Sequence, residues 1–375
     1  MSATNHPVDP GGLLEYSVVY TDRALNHMSQ AYQGVMRDIS AILRSAYGAD
    51  AVAVVPGGGT YAMEAVARQF AGDAACLILR NGWFSFRWSQ ILDLGRITPN
   101  ASVLKARRTA EHAQAPWIPA PLPEVLDAIR AQRPAVVFAP HVETASGIVL
   151  PDDYLQAVGA ATRDVGGLFV LDCIASGALW VDMRKMGVDV LISAPQKGWS
   201  GPSCAGLVMF GERALARMAE TTSSSFACDL KKWRQIMESY ESGGHAYHAT
   251  MPTDALRQVR DAMRETEAFG LEQARVRQIE LGQRVRALLR ERGFPSVAAA
   301  GYEAPGVVVS HTTDPEIQSA KKFVALGYQL AAGVPLQCDE PGDFRSFRIG
   351  LFGLDKLSNV ERSVKRLAEA FDRIA

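Results

Sequence analysis

Lys197 stands in the run Ser193-Ala194-Pro195-Gln196-Lys197-Gly198-Trp199, 25 residues after Asp172, which closes the apolar run Leu168-Phe169-Val170-Leu171. An amine following one strand and a carboxylate ending the strand before it suit one chemistry. The amine can form a Schiff base with an aldehyde cofactor, pyridoxal phosphate. The carboxylate can keep the pyridine nitrogen protonated, so that the ring accepts electrons from a substrate carbanion. Taken alone, the two residues read more simply as a surface lysine and a strand-end aspartate. Their surroundings have to decide.

Three further segments follow apolar runs. Pro56-Gly57-Gly58-Gly59-Thr60 opens a helix, and backbone amides at such a start, with the positive end of the helix dipole, can hold a phosphate. It equally describes a tight strand-to-helix turn, and it is neither a Walker loop nor a dinucleotide fingerprint. Asn81-Gly82-Trp83-Phe84-Ser85-Phe86-Arg87 offers aromatics that could cover a planar ring or simply fill a core. In Pro140-His141-Val142-Glu143-Thr144, Thr144 could hydrogen-bond a ring hydroxyl, while His141 and Glu143 could either meet a ligand or brace the loop. Each segment is equivocal singly; together they stand at successive strand ends in front of the Asp/Lys pair.

The elements that must position these residues are legible from hydrophobic patterning. Strands are expected at Ala51–Val55, Ala75–Leu79, Ser102–Lys105, Ala135–Ala139, Leu168–Leu171, Val188–Ile192 and Gly206–Phe210. Helices are expected at 22–47, Thr60–Phe70, Phe86–Leu94, Pro123–Gln132 and Tyr154–Val165. Near-continuously apolar strands separated by helices predict an α/β fold with a mostly parallel seven-stranded sheet covered on both faces. Sites in such sheets lie off the carboxyl ends of the strands, where Asp172 and the Lys197 loop both fall. Beyond Thr253 a charged helical stretch, Asp254–Arg292, leads into strand and helix segments of a smaller α+β domain. The expected division is an arm over 1–21, a large domain over 22–253 and a small domain over 254–375.

The order of motifs resembles the class V aminotransferases of pyridoxal phosphate fold type I, in the alanine–glyoxylate and serine–pyruvate aminotransferase branch. The resemblance runs over about residues 30–375. It is carried by Gly57–Ala65, Asn81-Gly82-Trp83-Phe84, His141-Val142-Glu143-Thr144, Ala194-Pro195-Gln196-Lys197, Asp229-Leu230-Lys231-Lys232-Trp233, Tyr247-His248-Ala249-Thr250-Met251-Pro252 and Phe347-Arg348-Ile349-Gly350. It implies that Lys197 is the Schiff-base lysine and proton shuttle, that Asp172 pairs with the pyridine nitrogen, and that Phe84 stacks on the ring. It implies that Gly58, Gly59, Thr60 and Gln196 bind the phosphate and ring oxygens. Tyr247 and Thr250 would reach the phosphate of a neighbouring subunit, making the active unit a homodimer. Arg348 would hold the substrate carboxylate, a role that a planar bidentate guanidinium also suits on physical grounds, with Arg345 as a neighbouring candidate.

The implied reaction is ping-pong transfer of an amino group between small amino acids and 2-keto acids. Two variants share the same cofactor residues: a desulfurase-like lyase with Cys338 as nucleophile, and a transaminase of 2-aminoethylphosphonate. A non-catalytic protein of this fold is disfavoured by the presence of both Lys197 and Asp172.

Composition narrows the partners. A net charge of -1 with no long run of one sign argues against nucleic acid and anionic membranes. Five scattered cysteines without metal-ligand spacing read as reduced thiols. With no apolar signal core in Met1–Pro10 and no apolar stretch of about 18 residues, a cytoplasmic protein is expected. No metal role is suggested for any of the seven histidines.

Overall fold

The computed structural model describes residues 9–374; of the expected arm, residues 1–8 lie outside the described residues. Seven strands form one sheet in the spatial order Ala51–Pro56, Ala205–Phe210, Val190–Ser193, Leu168–Asp172, Val136–Pro140, Cys76–Arg80, Ala101–Lys105. The Ala205–Phe210 strand runs antiparallel to both of its neighbours. The remaining pairings are parallel, with Asp172 level with Pro140 on one side and Ile192 on the other. All seven expected strands are present, displaced at their ends by at most two residues.

Every residue of the four strands at 76–80, 136–140, 168–172 and 190–193 is buried, as a sheet covered on both faces requires. Helices Gly59–Phe70, Trp83–Leu94, Leu122–Gln132 and Asp152–Asp164 provide the cover, each lying in the chain between two strands of the sheet. The expected helix over 22–47 is shorter, Gln30–Tyr47. Its start is fixed by Ser29, whose hydroxyl accepts the Tyr32 amide, and residues 22–29 make turns instead.

The charged stretch after Thr253 is two helices, Thr253–Phe269 and Leu271–Glu291, broken at Gly270 (φ 95°). Leu256, Val259 and Met263 of the first pack into the core of the large sheet, and Arg260 and Arg264 both reach Asp38 on the Gln30–Tyr47 helix. Ala274, Leu281 and Val285 of the second belong to a separate core with Phe347, Ile349 and Phe371. The division expected between 253 and 254 thus meets a helix whose apolar face belongs with the large sheet. The small core covers a three-stranded antiparallel sheet of Val307–His311, Ser346–Gly350 and Ala331–Ala332. A third cluster, including Trp117, Ile148, Val309 and Leu336, knits the small sheet to the strand-end loops of the large one. No helix among the described residues is long and apolar enough to cross a membrane.

Candidate active site

A cleft of about 370 Å³ opens where the strand-end loops of the large sheet meet the small sheet. It is lined by Gly59, Thr60, Phe84, Thr144, Asp172, Gln196, Lys197 and Arg348, eight residues singled out from the sequence and drawn from six separate segments. Gly58 immediately precedes this wall as the N-cap of the Gly59–Phe70 helix. It supplies no side chain to cap that helix, so early amides remain free for a ligand. Tyr247 and Thr250 are exposed, outside the cleft, and hydrogen-bonded to each other at 3.1 Å between Oη and Oγ1. Arg345 is exposed and does not line the cleft.

Lys197 sits on a tight turn after the Val190–Ser193 strand. Trp199 is fully buried and packs on Trp180 at 4.6 Å between ring centroids. A Cβ on Gly198 would lie 2.2 Å from the Gly177 carbonyl oxygen, so only glycine lets the turn seat this closely. Ser200 takes a left-handed φ of 57° and its hydroxyl accepts the Leu354 amide at 2.9 Å, tying the turn to the small unit. Lys197 Nζ lies 5.0 Å from the centre of the Phe352 ring. Burial, and then the charges of Arg348 and Arg87, lower the lysine's pKa and favour its neutral, basic form.

Asp172 is buried and its pKa is pushed up to about 7, chiefly by burial. The one hydrogen bond to its carboxylate among the described residues comes from the Ile174 amide, at 2.9 Å. A buried carboxylate facing a cleft without a cation bound to it is where a protonated ring nitrogen would fit. The cleft therefore fits pyridoxal phosphate: a buried carboxylate, a lysine of lowered pKa and free helix-start amides at Gly59–Thr60 stand on its walls.

Glu143 and His141 hold this frame together without lining the cleft. The Glu143 carboxylate accepts the amides of Phe84, Ser85 and Ala145 and the Ser85 hydroxyl at 2.7–3.2 Å, locking the Phe84 loop to the Thr144 loop. His141 Nδ1 is 2.7 Å from Ser176 Oγ, and burial lowers its pKa to about 4, so the ring stays neutral. Its amide donates to the Asp172 carbonyl, bracing the strand end that carries the carboxylate.

Among the cleft residues that carry no assignment from the sequence are Arg87, Ile174 and Phe352. Arg87 lies one turn beyond Phe84 on the same helix, a spacing that placed it on the cleft side. Phe352 follows the Arg348 strand by two residues and has no periodic signal.

Cys338 does not face the cleft. Its thiol is buried, donates to the Arg80 carbonyl at 3.4 Å, and has its pKa pushed up to about 12 by burial. The segment around it is pinned by Glu340, which accepts the amides of Leu336, Gln337 and Cys338. A thiol so placed is a poor nucleophile, which removes the observation that favoured a desulfurase. Cys338→Ser is expected to leave turnover within about twofold while costing about 1–2 kcal/mol of stability. Steady-state rates and a denaturation curve check this, and abolished turnover in a folded variant would restore the thiol to the mechanism.

Comparison with known proteins agrees with this fold. The family model for class-V aminotransferases matches residues 19–325. A protein named 2-aminoethylphosphonate–pyruvate transaminase from Burkholderia ambifaria is 28% identical, the match covering 94% of this chain and 89% of the relative. Among solved structures, an alanine–glyoxylate aminotransferase from Nostoc sp. superposes with a TM-score of 0.79 at 23% identity, covering 94% of this chain and 89% of the other. A pyridoxamine–pyruvate aminotransferase from Mesorhizobium loti superposes with a TM-score of 0.73 at 17% identity, covering 94% and 92%. With the matching model spanning most of its length, the chain belongs to the class-V aminotransferase family and is a pyridoxal-phosphate-dependent transaminase.

Proposed function

We propose that this transaminase moves an amino group between small amino acids and 2-keto acids, of the alanine or serine to glyoxylate or pyruvate type, by a ping-pong cycle. The observation that carries the reading is Arg348, a guanidinium that shares the cleft with Lys197 and Asp172 and forms no salt bridge among the described residues. Its Nε donates to the Ala332 carbonyl at 2.8 Å, which leaves the terminal nitrogens for a carboxylate.

When bound, pyridoxal phosphate supplies the electron sink that stabilises negative charge at the substrate α-carbon. Asp172 holds the proton on the ring nitrogen. Lys197 Nζ would remove the α-proton of the substrate, for which a lowered pKa suits it. Arg348 fixes the carboxylate and so presents the α-C–H bond to that amine. Gly58, Gly59, Thr60 and Gln196 hold the phosphate and ring oxygens, Thr144 the ring hydroxyl, and Phe84 one face of the ring.

Tyr247 and Thr250 complete the phosphate site of a second copy, so that the working unit is a homodimer. Their exposure, and that of Tyr61, Leu13, Leu14, Tyr16 and Val18, supports this reading, since such apolar surface calls for a partner. A cytoplasmic location accords with five free thiols.

A second reading is favoured by the Burkholderia relative: the donor is 2-aminoethylphosphonate, and Arg348 meets its phosphonate. Arg348→Ala tests both. The Michaelis constant for anionic donors is expected to rise about ten- to a hundredfold, the worth of a charge-assisted hydrogen-bonded pair, with a smaller loss in kcat. Comparing alanine, serine and 2-aminoethylphosphonate shows which donor loses most. Unchanged kinetics with all three would move the anion site elsewhere.

A further inference from the structure

The phosphate ligands proposed above, Gly58, Gly59, Thr60, Gln196, Tyr247 and Thr250, are all uncharged, yet the group they hold is a dianion. Burying a phosphate among neutral donors alone is costly, and sites that take one usually add a guanidinium or an ammonium. The cleft has three basic side chains, Lys197, Arg348 and Arg87. The first two have work at the aldehyde and at the substrate.

Arg87 is left, and it stands at the phosphate end. Its Nη1 donates to Thr60 Oγ1 at 3.0 Å, the side chain at the start of the helix whose amides are free. It forms no salt bridge to a carboxylate among the described residues, although acidic partners occupy most other arginines of the chain. Its guanidinium carbon lies 4.7 Å from the centre of the Phe84 ring, the same ring that the cofactor is proposed to stack on. One helical turn separates Phe84 from Arg87, so one element carries both the ring platform and the cation.

We propose that Arg87 is a cationic anchor for the cofactor phosphate, supplied by the same chain that supplies Lys197. The inference rests on the transaminase site proposed above. Arrival of the cofactor ring on Phe84 displaces the guanidinium from that face, and the freed group turns to the phosphate beside Thr60. Arg87 thereby couples ring stacking to phosphate capture, and the phosphate gains a charge partner even before a second subunit closes the site.

The test is a binding cycle on protein stripped of cofactor, following tryptophan fluorescence on titration with pyridoxal phosphate and with pyridoxal, which lacks the phosphate. The wild-type protein is expected to prefer the phosphorylated form strongly. In Arg87→Gln that preference shrinks about ten- to a hundredfold, while the affinity for pyridoxal stays within about twofold. Arg87→Lys recovers part of the preference, because a point charge remains, and serves as the folded control. Equal weakening toward both ligands in both variants would overturn the proposal in favour of a packing role. An unchanged preference combined with a raised Michaelis constant for 2-aminoethylphosphonate alone would overturn it in favour of substrate recognition. Wild-type protein that binds neither ligand would instead sink the transaminase site itself, and Arg87's role with it.

Discussion

Lys197→Ala is expected to abolish turnover and the yellow absorbance of lysine-bound cofactor while leaving the fold intact. The reason is local. The side chain makes no hydrogen bond that holds the turn; Trp199, Gly198 and Ser200 do that. Removing the amine takes away both the group that joins the cofactor aldehyde and the base that moves the α-proton, two functions that no neighbouring residue duplicates. General-base catalysis alone is worth about 10²–10⁴-fold, and loss of the covalent link adds to it. The other basic side chains of the cleft, Arg87 and Arg348, are guanidiniums, a group that offers donors and no acceptor and so cannot substitute as the base. An absorbance spectrum and a circular dichroism melt on the same sample check the prediction. Retention of the yellow species in the folded variant would show that another amine carries the cofactor.

Asp172→Asn is expected to lower kcat by roughly a thousandfold while changing cofactor affinity far less. A neutral amide cannot hold a proton on the ring nitrogen, so charge developing at the substrate loses its stabilisation at the moment it matters. The same substitution has an opposite effect on the cofactor-free protein. Burial raises the Asp172 pKa from its ordinary value to about 7, so the folded state binds a proton that the unfolded state has released. That contribution is fully present below about pH 4 and is lost as pH rises through about 7. Above pH 7 the wild-type apoprotein carries a buried charge, only partly offset by the Ile174 amide and the charge of Arg87, that the asparagine variant lacks. The variant's apoprotein is therefore expected to melt a few degrees higher at pH 8, by about 2–4 °C per kcal/mol relieved, and to show no such gain near pH 4. Melting curves at the two pH values check this. A variant apoprotein that is less stable at pH 8 would mean that the carboxylate is compensated within the fold.

The sheet was legible because its strands are buried on both faces and so read as short apolar runs with no alternation. The same rule puts Asp172 and the Lys197 loop at adjacent strand ends. Helix limits were less legible where caps decide them. Ser29 ends the first helix eight residues inside the expected start, and Gly270 splits a stretch that is uniformly charged. Beyond 254 the first buried residue of the small core is Ala274, although the texture of the sequence changes at 254; composition records solvent exposure, whereas the packing of Leu256, Val259 and Met263 depends on their spacing. The cleft brings together residues of the strand-end motifs, whereas Tyr247 and Thr250, from a later motif, lie outside it. Glu143 and Arg87 were visible as residues, but whether they brace or bind depends on partners far away in the chain, Phe84–Ser85 for one and Thr60 for the other. Phe352 had no signal of any kind. Cys338 shows the converse: its position before Arg348 suggested chemistry, and the fold buries it against Arg80.

The most direct test of the account is an absorbance titration of the purified holoenzyme with alanine, serine and 2-aminoethylphosphonate in turn, with no keto acid present. A single equivalent of the true donor is predicted to bleach the yellow species stoichiometrically, and pyruvate or glyoxylate to restore it. If the yellow species persists while ammonia keeps accumulating, the protein eliminates rather than transfers, and the transaminase account is contradicted.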